Sequence, residues 1–510
     1  MVRTENDRSP WSEQDRGPTS GFVVRSLWSI GSSLSTRLLL VGWFVVTSSL
    51  VGFGACRGAD VTVDPKGICP FDWRAYPYQP AGSDILFPRD EGAHYTSDPA
   101  VTMEWWYTIF HVQSLSGRRF SIMTTFFMPQ IDMSFRPFNL IDVDNAVRFD
   151  GGEWGELEAG QGSLDLVYVS DVASEAQSFF RNELDSQGHP IPFHYRQESF
   201  YVDPKDSSRT QSLQFRMEAV KEPFLVGGDG YVAIGDSGDS YYYSLTDLRV
   251  QGRLEINGQV FEVEGQGWMD HQWGPFMLSP LSFSMNHYEW IAVHLDNGQQ
   301  YMVSSLFDRD NHLHLEEGFG SVGWVDADCS QGHTVDYRID RLAYWKFEAK
   351  NYFFTSKWRV QVPETGLDVV IEPAIADQTV EFLGAYFYEG RANVSGTVQG
   401  VPVTGLAFTE MTHHFEAPQV LVTSPADGSV VQGATTASWQ VTNPDDGLPL
   451  TFTVTLDQGG DSKVVCDHVQ GTSCSVDFSS YRGSVGVTVT ASSVDETIQS
   501  RAQVEVSVGS

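Results

Sequence analysis

The sequence predicts an all-β chain: two domains of one kind in tandem, barrels or sandwiches, followed by a separate small sandwich. Three observations carry this. From about residue 80, short runs alternate apolar and polar residues and are rich in Val, Tyr, Phe, Trp and Thr. Asn-Gly dipeptides mark hairpin turns in LEINGQVFEVEG, while VHLDNGQQYMVSSLF repeats the device. An internal repeat joins GRLEINGQVFEVEGQGWMD, from Gly252, to GTVQGVPVTGLAFTE, from Gly396. Both segments end in the same pattern, Gly265, Gly267, Trp268, Asp270 in the first and Gly405, Ala407, Phe408, Glu410 in the second. A period of about 140 residues is too long for a solenoid or a propeller blade. Amphipathic helical patterns are scarce.

The elements follow in order. Residues 1–56 read as an export segment. An arginine-bearing polar leader precedes LLLVGWFVVTSSLVGFGA, Leu38 to Ala55, which has no charge and ends at Cys56. Small residues before a cysteine resemble a lipoprotein signal, so Cys56 is the expected lipidation site, with an uncleaved anchor as the alternative. The expected location is the cell envelope, or outside the cell, with membrane contact only through that anchor or lipid. Residues 57–79 are a linker. Residues 80–248 and 249–416 are the two repeated domains. At 417–510, APQVLVTSPADGSVV opens a Val-, Thr- and Ser-rich stretch, expected to be an immunoglobulin-like or fibronectin-like β-sandwich acting as a spacer or adhesive module.

A chain of 510 residues exceeds one ordinary core. Aromatics make up 13%, which suits large cores and apolar pockets. The formal charge of −34 repels phosphate backbones and anionic lipid, which excludes nucleic acid as a natural partner. Five cysteines fit an oxidising compartment. With Cys56 set aside, Cys466 and Cys474 are the expected local disulfide, and Cys69 with Cys329 would be the other pair. No Cys or His spacing defines a metal site, and no cofactor motif is present. The pairs His312–His314 and His413–His414 read as exposed strand residues.

Three clusters carry possible chemistry: FPRDEGAH with EWWYTIFHV, SYYYS, and GQGWMDHQWG. In EWWY, a strand sends Glu104 and Trp106 one way and Trp105 and Tyr107 the other. In WMDHQW, Trp268 and Asp270 share one face, Met269 and His271 the other. A carboxyl buried beside an indole stays protonated and makes a general acid. The bland alternatives are core aromatics with a salt-bridged Glu104, a strand-closing Asp270, and a His271 bonded to backbone.

FPRDEGAH, EWWY with FFMPQ, SYYYS, WMDHQWG, and YFYEGRANVSGT with VTGLAFTEMT occur here in an order that resembles the AttH-like and carotenoid 1,2-hydratase (hydroxyneurosporene synthase, CrtC) group, over about residues 75–415. The resemblance implies two tandem lipocalin-like, calycin-type barrels holding an apolar small-molecule ligand. In the hydratase branch it implies cofactor-free addition of water to an isoprenoid double bond. Asp270 would then donate the proton, and Trp268, Trp273 and Trp106 would face the cation. His271 or Tyr107 would position water, while Glu104, Trp105 and Tyr242 would line the ligand site. The competing expectations are a non-enzymatic lipid carrier and a surface-anchored interaction protein. Nothing in the sequence speaks to oligomeric state.

Overall fold

The structure is a computed structural model. It describes residues 71–509 apart from 130–133, 161, 173–176, 204–205, 235–237, 277–286, 309–311, 316–318, 383–384 and 443–447. The export segment, Cys56 and Cys69 lie outside the described residues. Among the described residues, no helix is long and apolar enough to cross a membrane.

Ten long strands form the first barrel. From Met103–Ser114 to Asp206–Ala219, each strand pairs antiparallel with the next. Asp239–Ile256 then pairs with the 206–219 strand, and Gln259–Gly274 returns to the 103–114 strand, closing the ring. Closure leaves these ten strands with no free edge. The interior is filled by Phe110, Phe120, Phe126, Phe180, Tyr195 and Phe215, each fully buried.

The second sheet begins with His287–Leu295 and ends with Val401–Met411, and these two strands pair with each other. The first and last strands of the first barrel pair in the same way. The second sheet runs outward on either side and stays open between Gln331–Thr334 and Arg338–Phe347. Its own core gathers Trp358, Phe354, Tyr388 and Tyr301.

The boundary expected at 248/249 is not where the sheets change. The LEINGQVFEVEG hairpin completes the first barrel, and the change falls between Gly274 and His287. Long-range pairing with the 206–219 and 103–114 strands decides this, and a hairpin's own residues do not encode it.

The repeat aligns in space. Asp270 lies opposite Tyr107, and Trp268 opposite Ile109. In the second sheet, Glu410 lies opposite Trp290, and Phe408 opposite Ala292. Both glycines that open the repeated pattern have a physical reason. A Cβ on Gly265 would sit 2.1 Å from the His111 carbonyl oxygen, and one on Gly405 would sit 2.2 Å from that of His294. Neither contact is possible without parting two backbones. Gly265→Ala and Gly405→Ala are each expected to cost about 1–3 kcal/mol, read as a lower Tm in thermal unfolding. Unchanged Tm values would refute the close approach.

The outer face of the first barrel packs on the second sheet. Tyr107, Ile109, Tyr242 and Trp268 meet Trp290, Ala292, Met302 and Phe408 in one buried cluster. Polar contacts pin the junction. The Lys221 ammonium donates to the backbone oxygens of Gly298, at 2.6 Å, and Asp326, at 2.7 Å. The Asn139 amide donates to the Glu389 backbone oxygen at 2.7 Å.

Residues 419–508 form two packed sheets, of three and five strands, around Trp439, Val454, Val476, Val485 and Val487. They include one parallel pairing, Val430–Val431 with Gln499–Val508. Cys466 and Cys474 are bonded, and Cys329 is also in a disulfide.

Candidate functional site

The strand Gln259–Gly274 carries two sets of side chains on opposite faces. Its neighbour, Met103–Ser114, does the same in register. The two faces build separate constellations, and the residues expected to act together divide between them.

The inward face holds Glu104, Trp106, His271 and Trp273. Residues 71–102 run across this part of the barrel, with a short 3-10 turn at Arg89–Glu91. Glu104 is 0% exposed and accepts backbone N–H groups of His94 and Tyr95 at 2.9 and 3.0 Å. The His94 Nδ1 and His271 Nε2 atoms each lie 2.9 Å from its Oε1. His94 Nε2 faces Asp90 at 3.1 Å. His271 Nδ1 lies 3.0 Å from the Asp90 backbone oxygen. Trp273 stacks on His94, with ring centroids 4.0 Å apart, and Trp106 stacks on His271 at 4.5 Å.

Burial alone would raise the Glu104 carboxyl, yet the two histidines hold it down at about 2. Burial also opposes charge on His94, but Asp90 and Glu104 outweigh it, and its pKa is raised. Burial lowers that of His271. His94, Glu104 and His271 bring their ligand atoms within 4.8 Å of one another, a spacing that a cation also requires. Each of those atoms already has a partner within the group. The constellation is a latch that seats the 71–102 segment in the barrel. Glu91 extends it, accepting from Asn182, Tyr195 and the Phe193 N–H, with its carboxyl pushed by burial to about 7.

The outward face holds Trp105, Tyr107, Trp268 and Asp270, joined by Tyr242 from the preceding strand. Here the two sheets leave a cavity of about 150 Å³. Trp105, Phe127, Phe135, Phe276, Trp290 and Phe319 give it aromatic walls, while Asp270, Glu389 and Glu410 bring carboxyl groups. No Lys or Arg is among the described lining residues. Asp270 is 3% exposed. Its Oδ1 accepts from the Ser244 hydroxyl at 2.5 Å and the Trp268 indole N–H at 2.8 Å. Burial pushes its pKa up to about 7, although Ser244, Trp268 and Tyr242 favour the charged form and Glu410 opposes it. Burial and the nearby carboxylates also keep the Tyr107 and Tyr242 hydroxyls neutral.

Asp270, Tyr107, Trp105, Tyr242 and Trp268 therefore meet at the sheet interface. His271, Trp273, Trp106 and Glu104 face the other way and do not share their cavity. Asp270 sits within a strand and does not close one. His312 and His314 are exposed and flank Asp308. His413 departs from the exposed-strand expectation: it is 1% exposed and stacks on Phe307 at 3.7 Å. Its aromatic neighbour supplies an apolar slot that adjacent sequence does not reveal. Sequence reasoning gave no role to Glu389, Glu410, Tyr288 or Trp290. The repeat itself, matching Glu410 to Asp270, was the signal for one of them.

These features define a lipocalin-like β-barrel protein with an apolar, carboxyl-bearing cavity between two repeats. Residues 191–414 match the AttH-like family model. Among solved structures, an AttH of Nitrosomonas europaea aligns with a TM-score of 0.52 and 22% identity, over 66% of this chain and 98% of that one. Kievitone hydratase from Nectria haematococca gives 0.48 and 15%, with the same coverages. No curated protein sequence matches the chain.

Proposed function

We propose that the interface cavity binds one end of a long, uncharged apolar molecule of isoprenoid or polyketide type. Asp270 acts there as a general acid, without a cofactor, in hydration of an alkene or its reverse. The observation that carries this reading is the Asp270 carboxyl, buried among aromatic rings with its pKa pushed to about 7. Such a group still holds its proton near neutrality and can give it up. The aromatic walls suit a carbocation. An anionic ligand end would find no counter-ion among the described lining residues. The volume admits a chain end rather than a whole polyene. The resemblance to carotenoid 1,2-hydratases points the same way, and export through the N-terminal segment belongs to the same proposal.

A carrier is the competing reading, favoured by the two hydrogen bonds that tie Asp270 Oδ1 to its own barrel. Geranylacetone separates them, being neutral with a terminal trisubstituted alkene. Incubated with the full chain, it should yield the tertiary alcohol, detected by gas chromatography. Native mass spectrometry that finds it bound but unaltered would establish a carrier instead.

A further inference from the structure

If Asp270 protonates an alkene in this cavity, another group must take the proton of the attacking water. We infer that Glu389 and Glu410 form a carboxyl dyad that holds this water, with Glu410 removing its proton. The inference rests on the hydration reading above.

The two residues are direct cross-strand neighbours on Ala385–Val398 and Val401–Met411. Their side chains therefore emerge on one face, with Cβ atoms about 5 Å apart, and both line the cavity that holds Asp270. Glu389 is 5% exposed, and its Oε2 meets no hydrogen-bond partner among the described residues. A buried acceptor without a partner costs stability, and a water or substrate in the cavity would satisfy it. The Tyr288 hydroxyl donates to Glu410. Two adjacent carboxyls in apolar surroundings share one proton. Tyr288 places the single charge on Glu410 and leaves the proton on Glu389. Two tyrosine hydroxyls accompany these carboxyl groups. Tyr107 is beside Glu410 in poor hydrogen-bonding geometry, and Tyr242 is beside Asp270.

The steps balance. The Asp270 O–H bond breaks, and the alkene π pair forms a C–H bond. The adjacent carbon becomes a tertiary cation. A water lone pair forms the C–O bond, and that oxygen loses a proton to Glu410. Glu410 then gives that proton to solvent water and Asp270 takes one from solvent water, which resets both groups.

The test is geranylacetone turnover by the full chain in D2O, following both the tertiary alcohol and deuterium entering unreacted alkene. Asp270→Asn should lose both signals. Glu389→Gln and Glu410→Gln should each form alcohol on the order of 10²-fold more slowly yet still exchange deuterium, because protonation and its reversal need no water capture. Glu410→Asp should recover part of the alcohol. Alcohol formation at wild-type rates in both glutamine variants overturns the dyad and leaves the Asp270 reading standing. Loss of deuterium exchange in those variants makes the dyad structural and also overturns it. Wild-type protein that neither hydrates nor exchanges overturns the hydration reading, and the dyad with it.

Discussion

Asp270→Asn is expected to slow alkene hydration by about 10²–10⁴-fold, the usual loss when a general acid is removed. Asparagine keeps an oxygen to accept the Ser244 hydroxyl and the Trp268 indole, so the interface should survive. The same carboxyl predicts two pH effects of the same sign. Activity should fall as pH rises through about 7, where Asp270 loses its proton. Stability should fall too, and the sign follows from linkage. The folded protein holds this proton more tightly than the unfolded chain, so rising pH favours unfolding between the ordinary value of 3.8 and about 7. A shift of this size corresponds to about 4 kcal/mol. The variant lacks the penalty, so above pH 7 it should melt higher than the wild type while remaining the slower catalyst. Lower melting at every pH would instead mark Asp270 as structural.

Glu104→Gln should have the reverse profile, with little catalytic effect and a large loss of stability. It leaves His94, His271 and two backbone N–H groups without their common anion. Breaking a buried pair of this kind costs about 3–5 kcal/mol. The depressed pKa gives a similar figure: a fall from 4.5 to about 2 corresponds to about 3 kcal/mol. Because the folded pKa is lowered, this stabilisation is present above pH 4.5 and is lost as pH falls towards about 2. His94 contributes with the other sign. Its raised pKa gives stability that is complete below the ordinary value of 6.5 and lost as pH rises through the folded value. Thermal unfolding against pH should show a flatter acid limb in Glu104→Gln. A variant that melts like the wild type at pH 6 would contradict the latch.

These two residues show what the sequence made legible. Alternation in EWWY and WMDHQW sorted the side chains into the sets that the structure separates. It did not say which set faced a cavity, because a barrel interior and a barrel–barrel interface are equally apolar. Motif proximity therefore groups His271 and Trp273 with Asp270, although they stack around His94 instead. The repeat was visible because both copies solve one steric problem, a strand crossing close to a histidine carbonyl at Gly265 and Gly405. The placement of the 249–274 hairpin was not visible, since its partners lie far away in sequence. Glu389 carried no local mark within YFYEG. Its meaning comes from Glu410 across the strand and from Asp270 on another sheet.

The central claim is that Asp270 is a protonated acid at neutral pH. Difference infrared spectroscopy of the wild type against Asp270→Asn, titrated from pH 3 to pH 9, reads this without any substrate. A protonated-carboxyl band that belongs to Asp270 and disappears with a midpoint of about 7 is the predicted result. A band lost near pH 4 would show an ordinary ionised aspartate and contradict the account.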